Sequence, residues 1–106
     1  MKKNGGNNDL KKKSKPPPEY DLRLYVTGAT PNSVKAIANI TNICESFLKD
    51  RYDLQIIDVY KDASVAWQEQ IIALPLLIKK LPLPERKLIG DLSETDKVLK
   101  ALGVEM

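Results

Sequence analysis

Tyr25-Val26-Thr27-Gly28-Ala29-Thr30-Pro31-Asn32-Ser33-Val34 is the stretch whose reading decides the fold. Leading into it, Leu22, Leu24 and Val26 alternate with Arg23 and Tyr25, the period-two pattern of a strand with a buried face, which predicts a strand over residues 21–27. Gly28 supplies backbone freedom for a turn, and Pro31 suits the first turn of a helix, where its missing N–H has no intrahelical partner to lose. Beyond it, at about 100° per residue, Val34, Ile37, Thr41, Cys44 and Leu48 share one stripe, and Ala36, Ile40, Ile43 and Phe47 form the adjacent one. Lys35, Asn39, Asn42, Glu45, Ser46 and Lys49 occupy the other half, so the segment reads as an amphipathic helix of about five turns. Leu54 to Tyr60 follows as a second strand, with Ile56, Ile57 and Val59 giving the near-continuous apolar run expected of a strand covered on both faces. A crossover of this length between two strands makes a right-handed parallel βαβ unit.

The second half turns on Leu81-Pro82-Leu83-Pro84-Glu85-Arg86-Lys87-Leu88-Ile89-Gly90-Asp91-Leu92-Ser93. Ahead of it, Asp62 caps a short helix through Val65, Trp67, Ile71 and Ile72, and Pro75 ends that helix and opens a strand at Leu76-Leu77-Ile78. Pro82 and Pro84 interrupt, Arg86 to Ile89 resumes as a strand, and Gly90-Asp91 turns into a last helix. Ser93 with Asp96 three residues on approximates a capping box, and Val98, Leu99 and Leu102 supply the apolar face. The order is βαβαββα. Leu76-Leu77-Ile78-Lys79-Lys80-Leu81 would serve as a helix nearly as well as a strand, because short apolar runs are not assigned by period alone, so a second arrangement of this half stays open.

The 106 residues suffice for one domain, and the charge of +3 is unevenly spread. Residues 1–19 carry a net +4 and residues 20–106 a net −1. With Leu10 as its only large apolar residue after Met1, and Pro16-Pro17-Pro18 near its end, the segment 1–19 is expected to be a disordered, solubilising tail, and residues 20–106 the folded domain. Lys11-Lys12-Lys13 lacks the interleaved arginines and aromatics of a nucleic-acid arm, which argues against nucleic acid as a partner. No apolar run has signal-peptide or membrane-span length near the N-terminus, so a cytoplasmic protein is expected, with no membrane contact.

Composition removes most catalytic chemistry. There is no histidine, and the single cysteine, Cys44, rules out an internal disulfide and any Cys-x-x-Cys motif. Cys44 falls mid-way round the apolar arc of the first helix, where a thiol is buried and inert. Asp50, Asp53, Asp58, Asp62, Glu69 and Asp91 show no spacing of a general acid–base pair and read as solvated or capping carboxylates. No catalytic residue, metal ligand or cofactor is expected. The predicted α/β order is that of a thioredoxin, which carries its redox cysteines at the turn into the first helix. Ala29 and Asn32 stand there instead, and a thioredoxin-like frame without its chemistry points to binding.

Leu24-Tyr25-Val26-Thr27-Gly28, Thr30-Pro31-Asn32-Ser33-Val34, Ile57-Asp58-Val59, Leu81-Pro82-Leu83-Pro84 and Ile89-Gly90-Asp91-Leu92-Ser93 together resemble the KaiB family over residues 21 to about 102. The resemblance implies a protein that switches between a thioredoxin-like βαβαββα monomer and a βαββααβ form found in dimers and tetramers. It also implies a non-enzymatic regulator that binds the N-terminal ATPase domain of KaiC, a ring-forming ATPase, favours KaiC dephosphorylation and sequesters KaiA where KaiA is present. Matching partner-contact positions are Arg23, Lys35, Lys61, Lys79, Arg86 and Lys87, and Gly90 and Asp91 match the switch hinge. The helix wheel puts Lys35 on the polar face, and alternation puts Arg23 opposite Leu22 and Leu24, so both are expected to be exposed. The acidic C-terminal tail of cyanobacterial clock members does not appear, and Leu74 and Leu76 stand where the family often has threonines. A circadian oscillator and a KaiB–KaiC pair serving stress adaptation are therefore both open. The rival readings are a thioredoxin-fold redox protein and a KaiC-binding sensor module like the N-terminal domain of the kinase SasA.

Overall fold

The computed structural model describes residues 18–61, 64 and 74–104. Strand β1 (Tyr20–Val26) leads into helix α1 (Pro31–Phe47), then β2 (Tyr52–Asp58), β3 (Leu76–Leu81), β4 (Arg86–Ile89) and helix α2 (Thr95–Leu102). They form a four-stranded mixed sheet in the order β2-β1-β3-β4. β1 and β2 pair in parallel, while β3 runs antiparallel to both β1 and β4, so β1, β2 and β4 point the same way. The helix expected from Asp62 to Ile72 and the disordered tail at 1–19 lie outside the described residues.

Local chemistry explains the element ends. Thr30 is the N-cap of α1 with extended backbone, and its hydroxyl accepts from the Ser33 N–H at 3.3 Å, with Pro31 in the first turn. α2 ends on Gly103 at φ +82, where Val104 N–H donates to Leu99 C=O at 3.0 Å, satisfying carbonyls the helix would otherwise strand. Leu22, Leu24 and Val26 pack with Ala36, Ile40, Ile43 and Cys44 of α1 and with Val98, Leu99 and Leu102 of α2. Tyr25, Leu76 and Ile78 make a second cluster with Ile57, Val59 and Leu74. Each fully buried aliphatic side chain contributes about 1.5–3 kcal/mol.

Several expectations are corrected. The first two strands begin and end earlier, at Tyr20–Val26 and Tyr52–Asp58, because the parallel ladder starts with Tyr20 opposite Tyr52 and the Asp58 side chain turns the chain by accepting from Tyr60 N–H at 2.9 Å. β2 is an edge strand and is not covered on both faces: Ile56 is 46% exposed. The covered central strand is β3, where Leu76, Leu77 and Ile78 are all buried between β1 and β4. Position between two partners thus settles Leu76–Leu81 as strand in this arrangement. On α1 the buried arc runs through Ser33, Ala36, Ile40, Ile43 and Cys44, leaving Val34 52% exposed. Ser33 replaces Val34 at the arc because its hydroxyl is used, accepting from Thr27 N–H at 3.2 Å and lying 2.9 Å from Thr30 Oγ1. Ser93 does not cap α2, since its N–H is donated to Asp91 Oδ1 at 3.1 Å and Glu94 takes the cap position without a side-chain bond. Cys44 is fully buried, and burial, helped by Glu45, pushes its thiol up to about 12, which is the inert state expected.

Candidate partner-binding surface

Because β1, β2 and β4 point the same way, their C-terminal ends meet the first turns of α1 and α2 at one end of the molecule. Three turns form that end. In the first, Gly28 has φ +55, and a Cβ there would sit 3.7 Å from the Tyr60 ring. Asp58 brackets this turn to the next: its Oδ1 accepts from Gly28 N–H at 3.2 Å as well as from Tyr60 N–H. A carboxylate read from sequence as solvated is therefore half-buried and holds two turns together.

The third turn, Gly90 to Glu94, is tied to α1. Asn39 Nδ2 donates to the Asp91 carbonyl at 2.8 Å, across from the polar flank that also carries Lys35. Hydrogen bonds from Ser93, first its hydroxyl and then its N–H, hold the Asp91 carboxyl below the usual carboxylate range, and the nearby Lys35 charge adds to the effect. Gly90 adopts φ +117 with its N–H on Pro75 C=O at 3.0 Å. Nothing lies within 4 Å of a Cβ built there, so the demand for glycine is one of backbone conformation, not space. Leu92 also takes a positive φ of 61° and turns its side chain into the core. An open groove of about 430 Å³ follows, between β4 and the first turn of α2, lined by Lys87, Ile89, Asp91, Glu94, Lys97 and Val98 among others.

Among the described residues, this end brings together no histidine and no free thiol. Cys44 is buried in the core, and no three His, Cys, Asp or Glu side chains cluster as a metal site among the described residues. What it presents is charge at the joined ends of the strands. Residues 23–104 match the KaiB domain family.

The chain belongs to the KaiB family. It is 48% identical over 85 residues to the circadian clock oscillator protein KaiB of Synechococcus elongatus, covering 80% of this chain and 83% of that protein. It is 51% identical over 85 residues to the KaiB of Rippkaea orientalis, with 80% and 82% covered. KaiB proteins are non-enzymatic, in keeping with the absence of histidine here and the buried thiol. The fold is shared with the N-terminal domain of Synechococcus elongatus SasA, at a TM-score of 0.66, 19% identity and 85% and 89% coverage. Mitochondrial thioredoxin 3 of Saccharomyces cerevisiae has it too, at a TM-score of 0.63, 13% identity and 78% of each chain. The frame is thus the thioredoxin-like one read from the sequence.

On this KaiB frame the six basic positions separate. Lys35, Lys61 and Lys87 are exposed, and Lys35 and Lys61 lie at the end just described, with Gly90 and Asp91 beside Lys35 and Lys87 along the adjoining groove. Arg86 is exposed at the opposite end of β4. Arg23 is not exposed as alternation implied: it is half-buried, its Nη2 is 3.6 Å from Asp21 Oδ2, and its Nε has no hydrogen-bond partner. Lys79 is buried at 4% exposure, opposite Leu22 on one side and Arg86 on the other. Its stem is enclosed by the sheet and its neighbours, leaving little of the side chain exposed in this arrangement. The hydrogen-bonding roles of Asn39, Asp58 and Ser33 were not read from the sequence. Asn39 stands one helical turn from Lys35 on the same flank, Asp58 closes an apolar strand, and Ser33 falls within the arc of Ala36 and Ile40, and those were the available signals.

Proposed function

We propose that this KaiB-family chain is a regulator that binds a KaiC-type ring ATPase in its thioredoxin-like form and modulates that enzyme's phosphorylation and ATPase state. The observation that carries the reading is the convergence of Lys35, Lys61, Gly90 and Asp91 on one end of the sheet that brings together no histidine and no free thiol, in a chain of this family. Lys35, Lys61, Lys87 and Arg86 are the proposed contacts, while Arg23 and Lys79 act within the sheet. Buried Cys44 speaks against a redox role.

Gly90 and Asp91 are the proposed hinge. The turn joins β4 to α2 and is fastened to α1 by the Asn39–Asp91 side-chain bond, a local tie to be exchanged in reaching βαββααβ. In this reading only one arrangement binds, and its population sets the apparent affinity. Self-association to a dimer or tetramer accompanies the other arrangement, KaiA joins where it is present, residues 1–19 form a tail to the domain 20–106, and the complex works in the cytoplasm in circadian or stress signalling.

The test is to mix the protein with the KaiC homologue of the same source and follow a co-migrating complex over long incubation. A complex that Lys35→Glu or Lys61→Glu weakens supports the proposal. No complex, with the thioredoxin-like form verified by NMR, refutes it.

A further inference from the structure

Of the large apolar side chains that stay exposed among the described residues, Tyr60 is the most open, at 78%. A single exposed aromatic is ordinary on a protein surface, and its setting is what gives this one meaning. Tyr60 stands two residues beyond β2, at the end of the sheet where Gly28, Lys35 and Lys61 lie. The backbone under it is pinned at three successive residues. Val59 N–H donates to Val26 C=O at 3.0 Å, Tyr60 N–H to Asp58 Oδ1 at 2.9 Å, and Lys61 N–H to Asp58 C=O at 3.1 Å. Val59 also packs against the cluster of Tyr25, Leu76 and Ile78, which ties this turn to the core.

The ring itself lies beside Gly28, where a Cβ would stand 3.7 Å from its Cδ2, and Asp58 Oδ1 also accepts from the Gly28 N–H at 3.2 Å. One carboxylate oxygen therefore fixes both the backbone that carries the ring and the turn on which it rests. A tyrosine has two side-chain torsions, and one already placed in this way loses little freedom when a partner covers it. Val34, 52% exposed in the first turn of α1, and Ile89, 62% exposed at the close of β4, are the other large apolar side chains open at this end. Lys35 follows Val34 and Lys61 follows Tyr60, so charge stands next to apolar surface. Interface energy concentrates on such aromatics, while flanking charges steer the encounter.

We propose that Tyr60 is the anchor of the KaiC-binding end: its ring enters an apolar pocket of the ATPase, and an acidic rim of that pocket meets Lys35 and Lys61. The proposal rests on the KaiC reading above. It adds to that reading the side chain that sets the lifetime of the complex, whereas the lysines set its rate of formation.

In the test, the KaiC homologue of the same source is immobilised, and association and dissociation of the full chain are followed at two salt concentrations. Tyr60→Ala is expected to raise koff about thirtyfold, with little change in kon or in salt dependence. Tyr60→Phe, which keeps the ring, should stay within about threefold of the parent. Lys61→Glu should act on the other rate, lowering kon and the salt dependence. A shift between folds would lower the binding-competent fraction and appear in kon, so the two causes separate. A Tyr60→Ala koff within about threefold of the parent's, or a loss confined to kon, overturns the anchor. So does an equal loss in Tyr60→Phe, which would assign the contact to the hydroxyl. These outcomes leave the KaiC reading standing where Lys35→Glu or Lys61→Glu still weakens the complex. A parent that forms no complex, with its thioredoxin-like form verified by NMR, overturns both.

Discussion

Replacing Lys79 by methionine should stabilise the protein. Lys79 sits on the central strand β3 with 4% of its surface exposed, in register with Leu22 and Arg86. No carboxylate pairs with it among the described residues, and Arg86 is a like charge. Burial first, and Arg86 second, push its amine below the ordinary lysine value. A buried polar group without a partner costs about 1–3 kcal/mol, and a charge more. The amine of Lys79 is less enclosed than its stem, so only part of that cost applies; Lys79→Met keeps the apolar stem and length and removes it, and a gain of up to about 1 kcal/mol is expected at neutral pH. At this chain length each kcal/mol raises Tm by about 4–8 °C. Urea unfolding should show a higher midpoint with an unchanged slope. The pH dependence supplies the stricter test. The folded-state pKa lies below the unfolded value of about 10.4, so the unfolded chain binds more protons between the two. The parent protein is therefore penalised in full below the folded value and recovers stability as pH rises toward the unfolded one. The advantage of Lys79→Met should shrink over that window. A variant no more stable than the parent at neutral pH, or a gain that stays constant up to pH about 10.4, would refute the reasoning.

Other outcomes follow from the same structure. Ile40→Ala, at a site with no exposed surface in the α1 interface, should lose about 2–5 kcal/mol by chemical denaturation. Thr30→Ala removes the hydroxyl that caps α1 and should cost about 1 kcal/mol in the same assay. Ser93→Ala should move the Asp91 carboxyl up toward the ordinary aspartate value in a side-chain NMR titration; in the parent, the stability Asp91 contributes is present above about pH 3.9 and is lost as pH falls through its lower folded value. Cys44 should resist aromatic disulfide reagents at neutral pH in the native state and react at once in denaturant.

The alternation of Leu22, Leu24 and Val26, the Thr30-Pro31 start and the 3.6-residue periodicity of α1 are local signals, and they determined the βαβ unit without help from the rest of the chain. The absence of histidine and the place of Cys44 on the helix wheel likewise removed histidine-based, disulfide and Cys-x-x-Cys chemistry by composition and periodicity alone. Tertiary structure decided what depends on neighbours. Leu76–Leu81 is strand because β1 and β4 flank it, and β2 is half-exposed despite its apolar run because it lies at the edge. An enclosed lysine and a solvent lysine look alike in sequence, so the 4% exposure of Lys79 appears only once β1 and β4 flank β3. The bracket made by Asp58 and the tie from Asn39 to Asp91 join residues 30 and 52 positions apart, and such pairings exist only once the sheet has brought three strand ends together.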